Sequence, residues 1–119
     1  MRRDDLVRIR HIIDAAEAAT RFVNGRKRED LDADELLRFA LLQAVQIVGE
    51  AASKLSMEAR QELADVPWPR ITGMRNRLVH AYMHVNEDIL WTTAVDHLPG
   101  LVLRLRQIPG VPRRREDPR

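Results

Sequence analysis

Arg75, Asn76, His80 and Tyr82 stand within one short stretch, GMRNRLVHAY, residues 73–82. An imidazole that titrates near neutral pH, next to a permanently charged guanidinium, suits phosphate chemistry: one moves protons and the other holds phosphoryl oxygens. Metal-free cleavage of RNA needs little more. A base takes the proton of the ribose 2′-OH, an acid protonates the leaving 5′-oxygen, and a cation steadies the phosphorane. His80 fits the proton work and Arg75 the phosphate oxygens. Asn76 can hydrogen-bond the phosphate or the imidazole and so fix its tautomer. On a straight helix, at ~100° per residue, Ile71, Met74, Leu78 and Ala81 form a core-facing stripe. Asn76 and His80 then point away from it, with Arg75 on the shoulder. The spacing also permits a purely structural reading, in which Arg75 pairs with an acid such as Glu50, His80 is a surface residue and Tyr82 fills the core.

Other chemistries find less support. The chain has no cysteine, which removes thiol catalysis and Cys-ligated zinc and fits a reducing compartment. Its four histidines (His11, His80, His84 and His97) are dispersed. No HExxH or acidic triad accompanies them, so no metal site is expected. The glycines are isolated, without a phosphate-cradling loop, and no cofactor is expected. At 119 residues the chain is one domain able to form a core without staples. Its N-terminus is charged throughout, and no stretch is read as reaching the ~18–20 apolar residues of a membrane span; the expectation is a soluble, cytoplasmic protein. The net charge of +2 is unevenly spread: residues 104–119 carry +4, leaving −2 for the rest. That end would either meet a polyanion or serve as a solvated tail.

The elements that must position the stretch read as helices. The first is expected over about Asp5 to Val23, with Asp4 as its cap, Gly25 past its end and Leu6, Ile9, Ile13, Ala16 and Phe22 on its inner face. A charged loop, residues 24–32, follows. The second helix is expected from about Ala33, capped by Asp32, to Leu55, and it is apolar on nearly every side. Such a helix is central or serves two interfaces; in so short a chain the simplest second partner is another copy, hence a homodimer. Its polar ridge holds Gln43, Gln46, Glu50 and Lys54. Glu50 there either pairs with Lys54 or supports Arg75. Ser56 caps a short helix. Trp68 reads as a packing anchor between Pro67 and Pro69. The motif helix is expected over Pro69 to Ala81. Asn86 caps the last helix, whose buried side is read as Ile89, Leu90, Val95, Leu98, Leu101, Val102 and Leu105; Pro99 and Gly100 should kink it, or split it in two, near Asp96. Without strand-like alternation the class is all-α: a small up-down bundle of four main helices plus a short one over residues 1–108, with residues 109–119 as a basic, disordered tail.

Arg75, His80 and Tyr82, set as Arg-x4-His-x-Tyr, resemble the signature of HEPN-domain proteins, and most closely that of the HepT-type toxins of toxin–antitoxin pairs. The likeness extends to AVQIVGEAASKLS (44–56), VPWPRITGMRNRLVHAY (66–82), the Asn-Glu-Asp-Ile-Leu-Trp opening of the last helix and HLPGL (97–101), covering about residues 4–108. It implies a homodimeric ribonuclease with a composite cleft, in which Arg75 and His80 of both copies are catalytic; Asn76 and Glu50 are the supporting candidates by residue type and place. This agrees with the residue chemistry, since one copy supplies a single Arg–His set and a two-fold axis doubles it. It further implies a nucleotidyltransferase antitoxin that attaches AMP to Tyr82; a bulky anion beside an RNA groove would repel the substrate. The alternative is a non-catalytic module that binds nucleotide or RNA, or scaffolds a nucleotidyltransferase.

Overall fold

In the computed structural model the described residues are 1–78 and 85–113, with the side chain of Arg75 excepted. They are helical and contain no β-strand. Helix α1 (Arg3–Val23) packs along α3 (Glu35–Ser53), burying Ile9, Ile12, Ile13, Ala16 and Ala19 on one side and Leu41, Val45, Val48 and Ala52 on the other. The alanines let the two backbones lie close. One-turn α2 (Asp30–Ala33) and two-turn α4 (Met57–Glu62) flank α3. Then come α5 (Trp68–Thr72), α6 (Met74–Leu78) and α7 (Glu87–Thr92), the last continuing through a π turn (Thr93–His97) into α8 (Leu98–Leu105). The four rods are thus α1, α3, α5–α6 and α7–α8, an all-α bundle as expected.

Local signals set most ends. Ser56 Oγ accepts from Ala59 N–H to open α4, and Asn86 Oδ1 accepts from Ile89 N–H to open α7. Gly25, at φ +74°, closes α1 in a conformation that favours glycine. Two caps differ from expectation. Asp34, not Asp32, caps α3 by accepting from Leu37 N–H, because residues 30–33 form their own turn around the fully buried Leu31. Asp4 caps nothing, since α1 already begins at Arg3.

It is Asp5 that is buried. Its carboxylate accepts from Ser56 N–H at 2.8 Å and Ser56 Oγ–H at 2.6 Å, and the same Oγ accepts from Ala59 N–H at 3.1 Å. This relay ties the first turn of α1 to the cap of α4 across 51 residues of sequence. Burial alone would raise the Asp5 pKa; the Ser56 hydroxyl and N–H, helped by the charge of Arg2, outweigh it and hold the value below the usual 3.8.

Three further expectations change. Phe22 and Val95 are exposed, at 37% and 40%. The π turn explains Val95: the buried positions Leu90, Ala94, Leu98 and Val102 recur every four residues through it, so Val95 rotates outward. The interruption expected near Asp96 takes the form of this π turn, which divides the last helix into α7 and α8. Lastly, α3 does attain membrane-spanning length and apolarity, with 19 residues and mean hydropathy 1.2; by packing it is the core helix. Beyond Ile108 the chain stays on the body, with Val111 half-buried against the core and Gly110 beside Leu6; residues 114–119 lie outside the described ones.

Replacing Asp5 by Ala should cost about 1–3 kcal/mol, because the Ser56 donors are left unpaired. With a folded pKa below the unfolded one, the carboxylate's contribution is complete above pH ~4 and is lost as pH falls through the folded value. Urea denaturation midpoints of wild type and Asp5→Ala should therefore differ at pH 7 and converge under acid.

Candidate functional site

The motif stretch is held against α3 by a backbone contact. A Cβ built on Gly49 would lie 3.3 Å from the Ile71 carbonyl oxygen. The absence of a side chain at 49 lets α5 settle directly on α3, and Glu50 follows it. From below, Trp68 is buried and donates its indole N–H to the Leu63 carbonyl at 3.0 Å, the anchoring role expected of it. Arg60 supports the same corner by donating to the carbonyls of Ser53 (2.8 Å) and Ala52 (3.3 Å), which close the end of α3.

The motif helix is not continuous. It breaks at Gly73, whose φ of −83° and ψ of 0° end α5. The Pro69 carbonyl accepts from both Gly73 N–H at 3.0 Å and Thr72 Oγ1–H at 3.3 Å. Asn76 N–H then bonds the Gly73 carbonyl at 3.2 Å in a tight three-residue turn. The angular map drawn for a straight helix therefore does not carry across Gly73. Ile71, Met74 and Leu78 are nevertheless all buried.

Among the site residues, Arg75 belongs to α6, Asn76 is exposed on α6 and Glu50 is exposed on α3. Glu50 and Lys54 make no ion pair with each other. His80 and Tyr82 fall in residues 79–84, outside the described residues, as do His84 and Ala81. The described chain on either side is joined: Asn86 N–H donates to the Leu78 carbonyl at 2.8 Å, so α7 starts where α6 ends.

One feature of this region went unread in the sequence. An open groove of about 570 Å³ runs between α5–α6 and the rod of α7, the π turn and α8. Its lining includes Arg70 and Arg77 from the motif side and Asp96 and His97 from the π turn. The signal was present: Arg70 and Arg77 are seven apart, and Arg77 Nη2 donates to the Arg70 carbonyl at 2.9 Å. The outer face of α3, read in the sequence as a second interface, leaves Leu36 (79% exposed), Phe39 (58%) and Ile47 (38%) uncovered, with exposed Gln43 between the last two and Glu50 beyond them. No group of His, Asp or Glu placed to hold a metal occurs among the described residues.

Comparison with known proteins gives a consistent picture. Residues 12–108 match the family model described as Ribonuclease HepT-like. A candidate RNase of Caldanaerobacter subterraneus is 35% identical over 100 residues, spanning 84% of this chain and 89% of that protein. A presumed ribonuclease HepT of Thermococcus cleftensis is 30% identical over 101 residues, 85% of this chain and 92% of its own length. A candidate RNase of Methanocaldococcus jannaschii is 26% identical over 90 residues, 76% and 83% of the two chains. No solved structure matches.

The Gly49 contact makes its own prediction. Gly49→Leu should lower stability by about 1–3 kcal/mol, since the side chain must force α5 off α3. Gly49→Ala should fall less, because up to ~1 kcal/mol of helix propensity offsets its tight Cβ. Chemical denaturation of the two variants measures the difference.

Proposed function

Since the chain belongs to the HepT-like ribonuclease family, we propose that it is a metal-independent endoribonuclease, working in the cytoplasm as the toxin of a toxin–antitoxin pair. The observation that carries this reading is the Arg-x4-His-x-Tyr spacing of the sequence, whose first residue, Arg75, lies on α6 just past the α5 that sits on α3 at Gly49.

In the proposed reaction His80 takes the 2′-OH proton of the ribose. The 2′-oxygen attacks the adjacent phosphorus, the bond to the 5′-oxygen breaks, and a 2′,3′-cyclic phosphate and a 5′-hydroxyl result. The second protomer's His80 protonates the leaving oxygen. Arg75 neutralises charge on the phosphorane oxygens, Asn76 positions the phosphate or the imidazole, and Glu50 orients Arg75. A homodimer is required to complete this set. The uncovered Leu36, Phe39 and Ile47 support it, because large apolar side chains left exposed on one helix face mark interaction sites, and the same helix carries Glu50. A nucleotidyltransferase partner would silence the protein by attaching AMP to Tyr82, placing a bulky anion next to the cleft.

His80→Ala should abolish RNA cleavage, by a factor of ~10² or more for loss of a general acid–base group, while sedimentation still reports a dimer. Wild-type cleavage should persist in EDTA and leave 2′,3′-cyclic phosphate ends. Strict metal dependence, or undiminished cleavage by the variant, would refute the mechanism. Retained RNA binding without cleavage by wild type would leave the non-catalytic module.

A further inference from the structure

The groove beside the motif helix has the composition of a ligand site. Its volume falls in the ~300–1,000 Å³ range of small-molecule pockets. Ile71, Met74, Leu98 and Leu101 give it an apolar floor. Its charges are not equivalent. Asp65 is held by Arg104 through two hydrogen bonds, 2.6 and 3.1 Å, which keep the Asp65 carboxyl below its ordinary range. Asp88 is held by Arg28 at 2.7 Å. Arg70 and Arg77 have no carboxylate partner among the described residues, and Asp96 has no cation. The bond from Arg77 to the Arg70 carbonyl fixes that guanidinium across the α5–α6 break, with no other hydrogen-bond partner among the described residues.

Two uncommitted guanidiniums call for an anion, and planar forks suit phosphate oxygens. An uncommitted carboxylate on the facing wall calls for a hydrogen-bond donor, and ribose hydroxyls are such donors. The floor suits a base. A ribonucleoside phosphate presents all three. The groove adjoins α6, which carries Arg75 and Asn76. We propose that this groove holds a nucleotide of the RNA strand flanking the cleaved bond, with its phosphate on Arg70 and Arg77, its ribose on Asp96 and its base over Ile71 and Met74. The proposal rests on the ribonuclease reading for the identity of the strand; the groove itself can be tested without cleavage.

The test uses fluorescence anisotropy of a labelled single-stranded RNA in a His80→Ala background. Arg70→Ala and Arg77→Ala should each weaken binding about 5- to 10-fold near 0.1 M salt and reduce the salt slope by ~0.7. Arg3→Ala, an exposed cation outside the groove, should leave binding within twofold. Asp96→Ala should narrow the preference for RNA over DNA of the same sequence. Unchanged melting by circular dichroism checks that the variants fold. Parent-like binding by both groove variants, or an equal loss from Arg3→Ala, would overturn the proposal. Arginine-dependent binding of free AMP with oligonucleotide binding unaffected would also overturn it, since the groove would then serve a free nucleotide. None of these outcomes depends on whether the wild type cleaves, so failure of the groove and failure of the nuclease reading are distinguishable.

Discussion

The arrangement around the motif depends on one backbone approach, that of α5 to α3 at Gly49. Helices meeting through side chains keep their axes 8–10 Å apart and leave room for repacking. Here a peptide carbonyl sits against a bare Cα, so separation and register are set together. Close packing makes such a contact stiff, because even a methylene must displace its neighbours. A site that must hold a guanidinium and an imidazole in fixed relation to a phosphate gains from this, since small misplacements cost large factors in rate.

The remainder of the fold brings α5 to that point. Asp5 fixes Ser56 and hence the start of α4; Arg60 returns from α4 to the end of α3; Leu63 receives the indole of Trp68, the first residue of α5. Each link spans a turn in which helix hydrogen bonds are missing, and each supplies donors or acceptors to groups otherwise unpaired. The bond from Asn86 to Leu78 does the same on the far side of the motif. The segment bearing His80 and Tyr82 is thus flanked by anchored chain on both sides.

Much of this was legible from sequence, for identifiable reasons. Ser56, Asn86 and Gly25 act through contacts within three residues, so local rules found them. Buried Leu41, Val48, Leu78 and Leu90 follow helical periodicity. What escaped notice depends on partners remote in sequence or on register. Asp5 looked like an ordinary acid in a first turn, since Ser56 is 51 residues away. Leu31 was hidden in a charged run, though a lone leucine among charges is itself a signal. The π turn has no compositional signature, and one additional residue there sufficed to turn Val95 outward. The break at Gly73 is a local turn of the backbone, φ −83° and ψ 0°, that periodicity does not record. Within the candidate site, Arg75, Asn76 and Glu50 were read from type and spacing, whereas Arg70 and Arg77 join the groove only once α7 and α8 supply its other wall.

The arginines themselves separate structure from function. Arg26, Arg28 and Arg104 each hold a carboxylate, Arg60 closes α3, and Arg106 holds Glu17 across α1 and α8. Exposed pairs of this kind contribute little to stability, typically ~0–1 kcal/mol; what they provide is attachment of connecting segments to the rods, as Arg28 attaches the residues before α2 to α7. Arg70 and Arg77 hold no carboxylate among the described residues; Arg70 precedes the motif and Arg77 lies within it. Removing Arg70 or Arg77 breaks no ion pair among the described residues, but Arg77→Ala also gives up the bond to the Arg70 carbonyl, so a loss of binding reports on a partner only where the melting of the variant is unchanged.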